Sequence, residues 1–210
     1  MGNQKKQITY FLFIQILILI YFKFFYMKVM EIIYQKKIKQ IRNNNKISVL
    51  ILNYDRPHNL RKSLPVLSNY DAIDQIVVSH GHPDYYEEFN FPKVDNVKDF
   101  ENNKLYGCGR RFLQYEKLKN DIVLVLDDDL IPKEEVVNYS LLNLKKNYSK
   151  NTIYGIYSRS CNSKGYFYGN ATDLNHKSNI VLTPFILCKK KIIEDYINNS
   201  KGFEKYKEWI

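Results

Sequence analysis

Asp121-Ile-Val-Leu-Val-Leu-Asp127-Asp128-Asp129-Leu-Ile-Pro132 is the stretch on which the reading of this chain turns. The apolar run from Ile122 to Leu126 has the length of a strand buried on both faces, as in a parallel sheet. Three carboxylates follow it without a break. At the end of a buried strand they repel one another, and the cluster is costly unless a cation neutralises it. Ligands in open α/β sheets bind beyond the carboxyl ends of the strands. Hard oxygen ligands suit Mg²⁺ or Mn²⁺, either of which can share its coordination with a diphosphate. The alternative is an acidic turn that only caps the next helix. Pro132-Lys-Glu-Glu opens that helix, with Glu134 and Glu135 at the positive end of its dipole. Val136, Val137, Leu141, Leu142 and Leu144 are its apolar positions.

Working outward, Ile47-Ser-Val-Leu-Ile-Leu-Asn53 is a second buried strand, followed by Tyr54-Asp55-Arg56-Pro57 and a helical pattern through Leu60, Leu64 and Leu67. Gln75-Ile-Val-Val-Ser79 is a third strand, ended by His80-Gly-His-Pro83, and an extended piece follows over 91–97. Residues 109–118 read as a helix leading into the acidic strand. Strands at 152–158 and 180–187 and a helix over 190–199 complete the pattern. Strands alternating with helices in units of ~30 residues predict an α/β sheet with parallel strands.

The polar loop after Asn53 is where a nucleotide base or ribose could be held, although turn chemistry explains Asn, Asp and Pro equally well. Ser79-His80 would lie beside it. Tyr106-Gly-Cys-Gly-Arg110-Arg111 allows close backbone approach and offers a guanidinium fork for phosphate. It lacks the third glycine of a dinucleotide fingerprint, and a surface Arg pair opening a helix is the other reading. The four histidines show no metal-ligand spacing.

A length of 210 residues suits one domain plus an appendage. With 45% hydrophobic and 26% charged residues, a disordered polyelectrolyte is excluded. Three cysteines are too few for a disulfide framework, and no C-x-x-C pair suggests zinc. The net charge of +10 comes without any recognised nucleic-acid module, so no nucleic-acid partner is expected.

Residues 8–22 are apolar except for Thr9 and Gln15, with Lys5 and Lys6 before them and Lys23, Lys28, Lys36 and Lys37 after. The strict run is shorter than the ~20 residues of a membrane helix, but snorkelling of Lys23 and Lys28 extends it to Met30. The expected organisation is a transmembrane anchor over 1–30, a basic stem or linker over 31–46 and one domain over 47–210. A cleaved signal peptide and a buried helix are the alternatives, the former lacking a small-residue cleavage site. The positive-inside rule would leave the domain cytoplasmic. Sequons at Asn138, Asn147, Asn170 and Asn198 fit a lumenal domain instead.

The ordered set of strand ends, the Arg-bearing helix and Val-Leu-Asp-Asp-Asp resembles the GT-A fold of nucleotide-sugar glycosyltransferases, a Rossmann-type mixed sheet flanked by helices. It is most similar to the exostosin-like transferases, the glycosyltransferase family 64 domain. Ile-Tyr-Gly155-Ile-Tyr-Ser-Arg159, Tyr168-Gly169, and the stretch from Ile180 through Pro184 and Leu187 to Lys190 look like that family's later segments. The resemblance covers about residues 47–200.

It implies that Asp129, with Asp127, holds Mn²⁺ or Mg²⁺, and that Asp127 and Asp128 meet the ribose and base side of the nucleotide. Arg56 and Arg111 would contact the nucleotide sugar, and Asn53 and His80 complete the substrate-binding set. His80 stands where the family tends to have Asn, and Leu52 where it has a polar residue. The implied reaction moves an N-acetylhexosamine from a UDP-sugar to a hydroxyl of a glycan or glycoprotein, with retention. The implied setting is a single-pass type II protein of the Golgi or endoplasmic reticulum. The family's second acidic motif and further Arg lie downstream of the helix that begins near Lys190, whereas this sequence ends at Trp209-Ile210. Asp173 and Asp195 are the candidates to take the catalytic carboxylate's place. A catalytically inactive membrane-anchored GT-A-like module is the main alternative, and a phosphoryl-transfer enzyme without a Walker A loop or kinase signature is another.

Overall fold

The computed structural model describes the backbone of residues 2–148, 151–163, 165–168, 178 and 180–199, and their side chains except at 2–14, 41–44, 162 and 166–168. The chain divides into two compact units, residues 1–41 and 42–210.

In the first, α1 (Gly2–Asn44) is one continuous helix of 43 residues, about 65 Å long at the usual rise. No break separates the expected anchor from the expected stem, because Glu31 to Asn44 contains no Gly or Pro to end a helix. Leu19, Phe22, Phe24 and Phe25 are all exposed along it. Among the described residues no helix is long and apolar enough to cross a membrane. The early part of the apolar run, 8–14, lies outside the described side chains.

The second unit begins with β1 (Ile47–Asn53) and α2 (Pro57–Ser68), then β2 (Ile73–His80), β3 (Val94–Lys98), α3 (Phe100–Tyr106), β4 (Ile122–Asp127) and α4 (Glu134–Lys146). It ends with β5 (Tyr154–Gly155), β6 (Ser158–Asn162), β7 (Gly165–Tyr168), β8 (Ile180–Val181), β9 (Phe185–Lys189) and α5 (Lys190–Asn199). Six strands form a mixed, mostly parallel sheet in the order β3-β2-β1-β4-β9-β5. β1 lies between β2 and β4, parallel to both, and Val49, Leu50, Ile51, Leu124 and Val125 are fully buried. Both faces of these strands are covered, which is why they read as unbroken apolar runs. α2 buries Leu60, Ser63, Leu64, Leu67 and Ser68, one stripe at helical spacing. α4 carries acid in its first turn and Lys145 and Lys146 in its last, matching its dipole at both ends.

The later strands depart from the parallel expectation. The run 180–187 divides into β8 and β9, and β9 pairs antiparallel with both β4 and β5. Pro184 lies between the two strands and has no N–H to give a ladder. β6, β7 and β8 make a separate three-stranded antiparallel sheet. The helix expected over 109–118 is a 3-10 helix, Gly107–Lys117, set off from α3 by Gly107 at φ +52. Of the sequons, Asn138 is buried in α4, where a glycan has no room. Asn147 donates to Asn143 O and shares a hydrogen bond with Tyr154 Oη, and Asn170 lies outside the described residues.

Candidate functional site

Strand order runs outward from β1 through β2 to β3 and then returns to β4 on the other side of β1. The carboxyl ends of β1 and β4 therefore form a topological switch point, where open α/β sheets leave a crevice for ligands. Leu52 lies in register with Asp127 across it. A pocket of about 140 Å³ opens there, lined by Leu52, Tyr54, Asp55, Arg56, Arg111, Asp127 and Asp128. Arg56 spans from the β1 loop to the acidic turn, which narrows it.

The three carboxylates point different ways. Arg111 Nη1 donates to Asp127 Oδ1 at 2.6 Å and to Leu126 O at 3.3 Å. Asp128 is buried; its Oδ1 accepts from Arg56 Nη2 at 2.6 Å and its Oδ2 from Asn59 Nδ2 at 3.2 Å. Asn59 is in the first turn of α2, whose positive end favours a carboxylate. Burial raises the Asp128 pKa, with Asn59 and Arg56 drawing it back and Asp129 adding to the rise. Asp129 is half-exposed and accepts from Arg56 Nη1 at 2.9 Å. The pKa of Arg56 is raised, chiefly by Asp128. With Asp55 Oδ1 4.0 Å from Arg56 Nε, two guanidiniums thus face four carboxylates, leaving two negative charges in excess.

Among the described residues no three or more His, Cys, Asp or Glu converge as a ready metal cage. A divalent ion shared with a diphosphate needs only one or two carboxylates, the phosphate oxygens supplying the rest. Asp129, exposed and hard, with Asp127 at the same turn, suits that partial donor set. The excess negative charge suits it as well.

Asn53 and His80 are brought together, but inside the fold rather than in the pocket lining. Both are buried, and Asn53 Nδ2 lies 3.0 Å from His80 Nδ1. His80 Nε2 lies 3.1 Å from Asn96 Oδ1, and the ring stacks on Phe89 at 5.9 Å. Donation from Asn53 to Nδ1 assigns the neutral Nε2–H tautomer. Burial accordingly lowers the His80 pKa, and Arg110 lowers it further, against the Asn96 hydrogen bond. Asp195 is engaged by Lys191 at 3.0 Å within α5 and does not line the pocket, and Asp173 lies outside the described residues.

Sequence reasoning passed over four residues here. Tyr54 lines the pocket and meets His82 edge-on at 5.3 Å, and His82 in turn meets Tyr85 at 5.0 Å. Asn59 holds Asp128. Arg110, to which the resemblance gives no role of its own, is buried beneath the strand ends, and Gly81 is the glycine that leaves room for it. The Arg110-Arg111 doublet was a visible signal, but consecutive residues on a helix point to different neighbours, and only the packed structure says which.

The strand-end crevice thus brings paired arginines to an acidic turn at the β1/β4 switch point. A family model described as the glycosyl transferase family 64 domain matches residues 47–206. The chain belongs to this family, and its role in outline is glycosyl transfer. No match was found to a curated protein sequence. Among solved structures, a CMP:2-keto-3-deoxy-manno-octonic acid synthetase complexed with CTP is similar at 10% identity and TM-score 0.46, over 73% of this chain and 78% of that one. A mycobacterial protein is similar at 16% identity and TM-score 0.35, over 51% of this chain and 39% of that one. At these levels neither likeness bears on function.

Proposed function

We propose that this chain is an exostosin-like, GT-A-type transferase that moves a sugar, by resemblance an N-acetylhexosamine, from a UDP-sugar to a hydroxyl of a glycan or glycoprotein acceptor. The observation that carries the reading is the juxtaposition of Arg56, Arg111 and the Asp127–Asp129 turn at the β1/β4 switch point, within the family-64 span. Arg111 and Arg56 supply guanidinium forks for a diphosphate. Asp129, with Asp127, would hold Mn²⁺ or Mg²⁺, which when bound offsets charge on the leaving diphosphate. Arg111 is locked by Leu126 O and Asp127 and so is ready to stabilise that charge without reorganising. By resemblance, Asp127 and Asp128 would meet the ribose and base side of the nucleotide. The exposed apolar side chains of α1, Leu19, Phe22, Phe24 and Phe25 among them, support membrane attachment, and the setting we propose with it is a domain in the lumen of the Golgi or endoplasmic reticulum.

Calorimetric titration of the full chain with UDP plus Mn²⁺ tests the site. Binding that requires the metal and disappears in Asp129→Ala is expected. A folded wild-type protein that binds no UDP sinks the donor-site reading.

A further inference from the structure

Arg110 is fully buried at 1% exposure, among the largest side chains so enclosed. A buried guanidinium is costly, and an apolar side chain of similar volume would often serve stability as well. This one is aimed. Its Nη2 donates to Asn53 O at 2.9 Å and Ser79 O at 3.1 Å. Its Nη1 donates to Asn103 Oδ1 at 2.6 Å and approaches Gly107 O at 3.5 Å. Its Nε makes no hydrogen bond among the described residues and lies 3.7 Å from Asp99 Oδ2. Asp99 is itself tied to β2 through Ser79 Oγ at 2.9 Å. Burial lowers the Arg110 pKa to about 10, so the group stays charged at neutral pH.

The two carbonyls held by Nη2 sit at the carboxyl ends of adjacent strands. Asn53 immediately precedes Tyr54-Asp55-Arg56, three residues of the pocket wall, and Arg111, the opposite wall, is the next residue after Arg110. A single guanidinium therefore ties the loop that carries Arg56 to the helix that carries Arg111. Gly81 confirms how closely the space is used. Its N–H donates to the same Asn53 O at 2.8 Å, and a Cβ there would collide with Arg110 Nη2.

We propose that Arg110 is a positioning residue for the donor site: it never touches the ligand, but it sets the spacing of Arg56 and Arg111 so that both meet one diphosphate. The proposal rests on the donor-site reading above. It is tested on the full chain with Arg110→Lys, which keeps the charge but not the fork, and Gly81→Ala, which keeps Arg110 and displaces its guanidinium. Arg61→Ala, which breaks only the exposed pair of Arg61 with Glu87, is the control.

UDP affinity with Mn²⁺ is measured by calorimetry below the melting temperature of each variant, and the kinetics of sugar release or transfer alongside. Both variants are expected to melt cooperatively and to bind about 10-fold or more weakly. KM for the donor should rise more than kcat falls, with Arg61→Ala unchanged. Wild-type affinity in either folded variant overturns the proposal, as does loss of a cooperative melt in both, which marks a purely structural role. A wild-type chain that does not bind UDP overturns the donor-site reading together with it, whereas a binding wild type with unaffected variants overturns only the role of Arg110.

Discussion

Arg56 and a divalent cation compete for Asp129, so Arg56→Ala should have opposite effects on two ligands. The Asp128 arm of Arg56 is short, 2.6 Å, and its acceptor side chain is 7% exposed. A charge-assisted hydrogen bond in such a place contributes about 1.5 kcal/mol. The Asp129 arm is 2.9 Å between partners 47% and 52% exposed, and solvent screening reduces it to about 0.5 kcal/mol. A metal ion on Asp129 displaces that second arm and forgoes about 0.5 kcal/mol, or roughly 2-fold in affinity. Removing Arg56 should therefore tighten binding of Mn²⁺ alone by about 2-fold. It should weaken binding of the UDP–Mn²⁺ pair, because a diphosphate contact is lost with it. Electron paramagnetic resonance of Mn²⁺ measures the first and calorimetry with UDP the second. Both belong well above the carboxylate range of pH, since burial already raises the Asp128 pKa and loss of Arg56 removes a group that lowers it. A folded variant with unchanged or weaker Mn²⁺ binding refutes the idea that arginine and metal share Asp129.

Arg111→Met leaves the Asp127 carboxylate and Leu126 O without their shared donor, at a cost of about 2–4 kcal/mol in urea unfolding, and Asp127→Asn in the same chain should recover part of it. Losses that add within about 0.5 kcal/mol would show that the pair is not coupled. His80 has its folded-state pKa pushed below the ordinary 6.5, so the unfolded chain takes up the proton first and stability falls as pH drops below 6.5. The raised Asp128 pKa acts in the opposite sense above 3.8, where the folded chain holds the proton longer. His80→Asn should flatten the acid side of the stability profile below pH 6.5, and an unchanged slope there would assign the acid sensitivity elsewhere.

The strands that bear the site were legible because they are buried on both faces. Val49 to Leu52 and Ile122 to Leu126 have little or no solvent side on which to alternate, so an unbroken apolar run marks them. The acidic turn was legible because three adjacent carboxylates at a strand end demand partners wherever the chain goes. The edge of the sheet was not. Tyr154 and Gly155 contribute a two-residue strand whose existence depends on β9 lying beside it, and neither propensity nor period records that. The extent of α1 was also misjudged, since a polar, basic composition from Glu31 onward says nothing against helix.

Asn53, His80 and Arg110 show where local sequence stops. As strand-end polar residues, Asn53 and His80 invite a ligand role. Their side chains instead turn inward onto each other and onto Asn96, because the parallel register sets Asn53 opposite His80. Arg110 and Arg111 are neighbours of the same type, yet one holds the ends of β1 and β2 and the other holds β4 and lines the pocket. The sequence by itself determined the α/β class, the order of the main strands, and an acidic turn with arginines nearby, since burial and charge repulsion act on each segment whatever surrounds it. The tertiary structure alone decided which carboxylate meets which guanidinium and which polar side chains face inward, because those pairings depend on contacts between residues 16 to 73 positions apart.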